Sequence, residues 1–390
     1  MDTNEAAAMA RLVAAGGGSA ARRALLDAHG CAADALAAGT GAWRASGLDA
    51  IQVERLRSPD SDAVRRTCDY LGRPGCHLVG WHDADYPPLL RRISSPPLAL
   101  FVAGEPALLW HPAVAVVGSR APTTGGRDTA RDFARSLARA GIGVTSGLAA
   151  GIDTAAHDGA LDVGGVTVAV LGTGSDVPYP RSNTALHARI AATGAVVSEH
   201  PPGTGPRREH FPSRNRILAG LALATLVIEA AERSGALITA RMAGDAGRDV
   251  FAVPGSIHNP KARGCHRLIR DGAGLVASAE EVMALLGPMA LSLHAVLQER
   301  LNVPSSALVE TPVSRDNPFP VASPDYHCLW NALGHDPTGM DSLVERTGLT
   351  PAGLSSMLLL MELEGRVAVE HGRYSRKSCH HAPAGAGRGK

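Results

Sequence analysis

The sequence predicts an α/β fold: a doubly wound parallel sheet, with a small helical segment before it and a winged helix-turn-helix outline after it. Three observations predict this. From residue 112 to about 287, short apolar runs alternate with helical stretches, the signature of repeated βαβ units. The runs are "AVAVVGSR", "IGVTSG", "VTVAVLGTG", "AVVSEHPPG", "TLVIEA" and "VFAVPGS", near-continuously apolar and β-branched, as strands buried on both faces must be. Nearly every run then ends in small residues: Gly118-Ser119-Arg120, Ser146-Gly147, Gly172-Thr173-Gly174, Ser198-Glu199, Glu229 and Pro254-Gly255-Ser256. In a parallel sheet these ends share one edge, outside which ligands bind.

The flanking segments follow from their own patterns. Residues 1–72 are alanine-rich and helical in pattern; "SAARRALLDAHG" (19–30) and "DAVRRTCDYLGRPG" (62–75) read as short helices closed by glycine. Residues 73–111 read as a proline-punctuated connector and extension of the core, ending in a strand from Leu98 to Val102. The core spans 112–287, a linker 288–322, and a compact unit 323–376. In that unit a helix, a second helix, the turn "TGLT", a helix carrying Leu354, Met357, Leu358 and Met361, and two short strands around His371-Gly372 follow in order. The tail, 377–390, is expected to be disordered.

Bulk composition narrows the function classes. Net charge is +1 over 390 residues, so any nucleic-acid surface must be a local patch. The six cysteines (Cys31, Cys68, Cys76, Cys265, Cys328, Cys379) form no C-x-x-C pair and read as reduced thiols of a cytoplasmic protein. No basic-then-apolar leader and no run of about 18 apolar residues stands out, so the expectation is no membrane association.

The loop after the first core strand, "VAVVGSRAPTTGG" (114–126), fits neither familiar glycine fingerprint. A dinucleotide turn needs G-x-G-x-x-G, and Gly125-Gly126 come too late. A Walker loop needs a lysine that does not follow. Arg120 instead offers a fork of donors suited to a phosphodiester. In "REHFPSRNRILAGLA" (208–222), Phe211, Arg214, Asn215 and Arg216 combine cations with an aromatic face, which suits single-stranded nucleic acid; solvated arginines beside a core phenylalanine would give the same string. Ser234-Gly235 opens a helix containing Thr239, an anion-friendly N-terminus. Lys261, Arg263, Arg267 and Arg270 add local positive charge or a solvated face. Asp153 and His157, four apart in "SGLAAGIDTAAHDGAL", are an acid/base pair, a metal pair, or a hydrogen-bonded pair holding the loop. No third ligand or nucleophile follows at useful spacing, and "CHH" (379–381) is weak as a metal site; no cofactor is expected.

Taken together, "VAVVGSR", "SGLAAGIDTAAH", "VAVLGTG", "YP" with Asn183, "SEHPPGT", "FPSRNRILAGL", "LVIEAAERSGALITA", "VFAVPGS" and "RGCHRLIRDGA" resemble the DprA/Smf family of bacterial DNA-processing proteins. The resemblance implies an extended Rossmann-like core, a small N-terminal helical (SAM-like) domain and a C-terminal winged-helix-like domain. It implies a non-catalytic protein that binds single-stranded DNA, protects incoming DNA and loads the recombinase RecA during natural transformation, as a homodimer through the core. Carried over by position, Gly118, Ser119 and Arg120 form the phosphate pocket, with Phe211, Arg214, Asn215 and Arg216 lining the same groove. Gly147, Gly172, Thr173, Gly174, Ser234, Gly235, Thr239, Pro254, Gly255 and Lys261 complete the expected DNA-binding set. Ala150, Ala222 and His266 depart from the family pattern and would remove polar groups near that groove. The core also resembles nucleotide-handling hydrolases of the lysine-decarboxylase-like (LOG) family, but their P-G-G-x-G-T-x-x-E stretch reads "EAAERSGALITA" here. A third reading makes the C-terminal domain a duplex-DNA regulator. Its third helix, "PAGLSSMLLLMELEG", is poor in basic and amide side chains, which favours protein contact or weak backbone binding.

Overall fold

The structure, a computed structural model, describes residues 3–301, 324–363, 365–370 and 372–377. The chain divides into two compact units, Met1–Ala121 with Ala130–Pro304, and Pro122–Thr129 with Ser305–Lys390.

The first unit opens with α1 (Thr3–Ala14), α2 (Ser19–His29), α3 (Ala32–Ala37), α4 (Gly39–Ala45), α5 (Ala50–Arg57) and α6 (Ser61–Leu71). α2 stops at Gly30, whose φ of 80° suits glycine and no bulkier residue. These helices bury Leu12, Leu25, Leu56 and Tyr70 against Leu78, Leu98 and Phe101. Those last three belong to, or border, an antiparallel hairpin of β1 (Cys76–Gly80) and β2 (Ala99–Gly104). Tyr70 meets Phe101 edge-on, centroids 6.1 Å apart. The helices therefore share a core with the sheet's edge. The short helix α7 (Pro88–Arg91) lies between the hairpin strands in sequence.

Next come β3 (Ala113–Val117), α8 (Thr124–Arg139), β4 (Gly143–Ser146), α9 (Ile152–Leu161), β5 (Thr167–Val170), α10 (Thr184–Thr193) and β6 (Ala195–Ser198). The chain continues through α11 (His210–Leu221), β7 (Ala224–Val227), α12 (Gly235–Asp245), β8 (Asp249–Ala252), α13 (Arg263–Arg270), β9 (Gly274–Leu275) and α14 (Ala279–Leu301). The sheet order is β1-β2-β6-β5-β4-β3-β7-β8-β9. The strands from β6 to β9 pair in parallel, and β2 joins β6 antiparallel. Alternation along β3 serves two cores: Ala115 and Val117 pack with α11 and α12 residues such as Leu218 and Ala240. Val114 and Val116 pack with Leu137 of α8 and Ala156 of α9 on the other face. β3 lies between β4 and β7, and the chain leaves it toward one side of the sheet and returns on the other. That is the switch point at which doubly wound sheets open a crevice.

One boundary differs from the sequence reading. Gly287-Pro288 looks like a helix stop, and the sequence starts the linker at 288; in the structure α14 runs to Leu301. Leu286 and Ala290, on either side of that pair, are buried in the α8–α9 core, which holds the helix on the sheet. Residues 302–322 of the expected linker and 378–390 of the expected tail lie outside the described residues.

The second unit contains α15 (Pro324–Ala332), β10 (Thr338–Gly339), α16 (Met340–Thr347), α17 (Pro351–Leu363), β11 (Val367–Glu370) and β12 (Arg373–Arg376). β12 pairs with both β10 and β11, giving a small three-stranded wing. Leu329, Leu343, Leu354, Leu358, Met361 and Val367 form its core. Gly348 ends α16 in the left-handed region at φ 67°. Helix, helix, turn, helix and wing together make a winged helix.

Candidate nucleic-acid interface

A cavity of about 570 Å3 opens at the switch point, lined by the loop after β3, the start of α9, one face of α11 and the start of α12. Its floor depends on Gly118. A Cβ there would lie 2.6 Å from Ile152 Cγ1 and 2.9 Å from the Glu229 carbonyl oxygen, so any side chain would force three segments apart. The loop is tied down locally: Ile152 N–H donates to the Ser119 carbonyl at 3.1 Å, and Ala121 N–H donates to Ser119 Oγ at 3.2 Å. Across the cavity Ser234 caps α12, its Oγ accepting from Ala236 N–H at 3.3 Å. The helix thus brings its N-terminal dipole end to the cavity wall, where negative charge is favoured.

The sequence-predicted residues sort into three groups. Gly118, Ser119, Arg120, Phe211, Arg214, Asn215, Ser234, Gly235 and Thr239 all line this cavity. Among them only part is presented to solvent. Arg120 is exposed, and its guanidinium carbon stands 5.8 Å from the centroid of the Phe211 ring. Phe211 in turn packs against Tyr179, centroids 5.1 Å apart at 43°, and Tyr179 is 42% exposed. A cation and two aromatic faces therefore sit side by side. Arg233, also exposed, adds a second charge to the rim.

Arg214 plays a different part from the one its sequence position suggests. It is only 5% exposed. Its Nη1 donates to the Gly147 carbonyl at 2.7 Å and to the Val170 carbonyl, and its Nε donates to Asn215 Oδ1 at 3.0 Å. A Cβ at position 147 would fall 2.1 Å from Arg214 Nη2, so Gly147 makes room for the guanidinium. Burial lowers the Arg214 pKa, and Asp153 opposes that shift. Arg214 thus braces the strand ends from within, and Gly147 serves it from behind the cavity.

The remaining predicted residues lie apart. Arg216 pairs with Glu199 at 2.5 Å and lines a separate cavity, so it does not join Arg120's groove. Gly172 lies under the start of α11, where a Cβ would meet His210 backbone and Phe211 Cδ1. Thr173 is buried and donates to the Val177 carbonyl at 2.7 Å. Gly174 packs on Asp176, Pro201 and Gly203. Pro254 and Gly255 are exposed beyond β8. Lys261 ties its own loop, its N–H donating to Asn259 Oδ1 at 2.9 Å and its carbonyl accepting from Ala230. Of the family departures, Ala222 is fully buried in the core rather than near the groove. His266 Nε2 lies 2.9 Å from the Gly255 carbonyl, and Ala150 is exposed before α9.

Asp153 and His157 share a helix but not a bond. Asp153 Oδ2 accepts from Gly147 N–H at 3.1 Å and Ala149 N–H at 3.3 Å. Burial raises its carboxyl above the ordinary range, while Arg214 and those two amides pull it back. His157 Nδ1 lies 2.7 Å from Thr167 Oγ1, whose hydroxyl donates to the Val144 carbonyl, so the imidazole is the donor. Burial pushes the His157 pKa down to about 3. Each group holds a loop or strand. Among the described residues no cluster of three or more His, Cys, Asp or Glu is placed to hold a metal ion; Cys379, His380 and His381 lie outside them. No helix among the described residues is long and apolar enough to cross a membrane.

Tyr179 is the site feature that the residue-by-residue carry-over omits. Its sequence signal is the "YP" pair in the loop after β5, quoted above as a matching motif without a site role. Spatial proximity to Phe211 gives it meaning.

The family model for DNA recombination-mediator protein A matches residues 77–287, and that for the DprA winged helix domain matches 313–373. Protein Smf of Escherichia coli (strain K12) is 40% identical over 342 residues, covering 86% of this chain and 87% of that protein. DNA processing protein DprA of Streptococcus pneumoniae is 48% identical over 202 residues, covering 52% of this chain and 71% of that protein. The X-ray structure of DNA processing protein A from Streptococcus pneumoniae superposes with a TM-score of 0.64 at 38% identity, covering 73% of this chain and 98% of that one.

Proposed function

Because the chain belongs to the DNA recombination-mediator protein A family, known as DprA/Smf, we propose that it binds single-stranded DNA in the switch-point cavity, without catalysis. The observation that carries this reading is the exposed Arg120 guanidinium held beside the Phe211 ring and the Tyr179 ring behind it. A phosphate seated over Gly118-Ser119 meets a fork of donors from Arg120 and the N-terminus of α12. The attached base meets an aromatic face. Backbone cation plus stacking is how proteins hold single strands with little sequence preference.

On this reading the protein shields incoming DNA, hands the strand to RecA during natural transformation, and works in the cytoplasm as a dimer through its core. These finer roles rest on kinship with the family. Asp153 offers the hydrolase alternative no free acid: it is 6% exposed and accepts from two backbone amides.

The test is a fluorescence-anisotropy titration of labelled oligo-dT with wild type and Arg120→Ala at two salt concentrations, against a duplex control. The expected result is single-strand preference, weakening with salt, and a loss of about tenfold in the variant with a salt slope smaller by about 0.7. Equal affinity for duplex, or no effect of the substitution, would overturn the assignment. The rate of RecA nucleation on the bound strand tests the loading role separately.

A further inference from the structure

Arg214 and Arg216 are two residues apart on α11, so they point to opposite sides of it. Arg216 opens onto a second cavity, of about 760 Å3, between the N-terminal helices and the loop after β6. One wall is the Gly16-Gly17-Gly18 turn that leads into α2; Gly18 supplies no side-chain cap to that helix. The lining also includes Arg66 from α6 and Arg207 from the β6–α11 loop.

The lining is charged and incompletely paired. Arg22, Arg66, Arg207 and Arg216 face Asp60 and Glu199, an excess of positive charge. Arg66 and Arg207 are exposed and make no ion pair among the described residues. Arg216 Nη2 bonds Glu199, yet its Nη1 is buried with no acceptor. Arg22 is 6% exposed; its Nη1 and Nη2 donate to the carbonyls of Leu12, Val13 and Gly17, and its Nε has no acceptor. His200 Nε2 is likewise buried without a partner, its ring stacked on His210 at 3.7 Å. The His200 pKa falls to about 4, mainly from burial, then from His210, Arg216 and Arg207. Buried polar atoms left without partners are costly, and these three belong to residues that line one cationic cavity. An inorganic phosphate would fill a small part of it, whereas its volume suits a small organic ligand.

We propose that this cavity is a second anion site, separate from the strand groove, which takes a phosphomonoester of mononucleotide size, its phosphate held by Arg66, Arg207 and Arg216. Two sources carry that group: a free mononucleotide, or the 5′-phosphorylated end of a DNA strand.

Isothermal titration of the full chain with thymidine 5′-monophosphate, thymidine and inorganic phosphate tests the site. The monophosphate should bind and thymidine should not. In the Arg120→Ala background, which disables the strand groove's own phosphate contact, monophosphate binding should persist, and adding Arg66→Ala with Arg207→Ala should weaken it by at least about tenfold. Both substituted arginines are exposed, and Arg207→Glu alone gives a second variant if the double one melts early. In the Arg120→Ala background, a preference for 5′-phosphorylated over 5′-hydroxyl oligo-dT that Arg207→Glu abolishes assigns the strand end. Absence of that preference, with monophosphate binding intact, assigns the free nucleotide. No monophosphate binding at millimolar concentration overturns the proposal. So does binding that Arg120→Ala abolishes and the Arg66 and Arg207 substitutions leave alone.

Discussion

Replacing Arg214 by alanine separates bracing from binding. The guanidinium donates to the Gly147 and Val170 carbonyls and to Asn215, at the C-terminal ends of two strands and within α11. It is also the largest influence offsetting the effect of burial on Asp153. Breaking a buried charged network by removing one member typically costs about 3–5 kcal/mol. At roughly 2 °C per kcal/mol for a unit of this size, the melting midpoint should fall by about 6–10 °C. The loss carries a pH signature. Burial holds the Asp153 carboxyl above its ordinary value, so between the ordinary and the raised value the folded state holds a proton that the unfolded chain has released. Stability from that group is present at low pH and is lost as pH rises through the raised pKa. Without Arg214 the pKa rises further, so the deficit of the variant should be larger at pH 7 than at pH 5. Differential scanning calorimetry of wild type and Arg214→Ala at both pH values gives the numbers, with Arg120→Ala as a control that should melt like wild type. A midpoint within about 2 °C of wild type, or a deficit that does not grow with pH, would refute the bracing role.

Other outcomes follow from neighbouring groups. His157 carries a pKa of about 3 when folded against an ordinary value of 6.5. Its contribution is therefore present above the ordinary pKa and lost as pH falls toward 3, amounting to a few kcal/mol; urea denaturation at pH 4.5 and 7 should show a smaller acid loss in His157→Asn. Gly118→Ala places a methyl group 2.6 Å from Ile152 Cγ1 and should destabilise the fold by about 1–3 kcal/mol, read as a shifted urea midpoint. Phe211→Ala and Tyr179→Ala should each weaken oligo-dT binding by about 1–3 kcal/mol without changing the salt slope. A changed slope would mean that the rings act through Arg120's charge instead of stacking.

The parallel strands were legible because strands buried on both faces leave nearly unbroken apolar runs, and the crevice because small residues close those runs on one edge. The antiparallel hairpin was only half legible. β2 follows from "LALFV", but β1, "CHLVG", begins with a half-buried cysteine and an exposed histidine and gives no such run. At the site, a sequence string presents Arg214 and Arg216 alike, although one braces the strand ends at the switch-point cavity and the other faces a different cavity. Helical spacing carried that difference: about 200° separates positions i and i+2. Whether an arginine is a ligand or a brace depends on what approaches it from elsewhere in the chain, here Gly147 and Val170, distant in sequence from position 214.

The shared core of the N-terminal helices and the β1–β2 hairpin limits how the protein can be cut. Leu78, Leu98 and Phe101 are covered by α1, α2, α5 and α6, so a fragment trimmed to the start of the family match at residue 77 would present a bare apolar ribbon to water. Exposed apolar faces of that kind drive association. A soluble truncated form therefore has to keep the helices, or carry polar replacements at Leu78 and Phe101, before its affinity for DNA can be compared with that of the full chain.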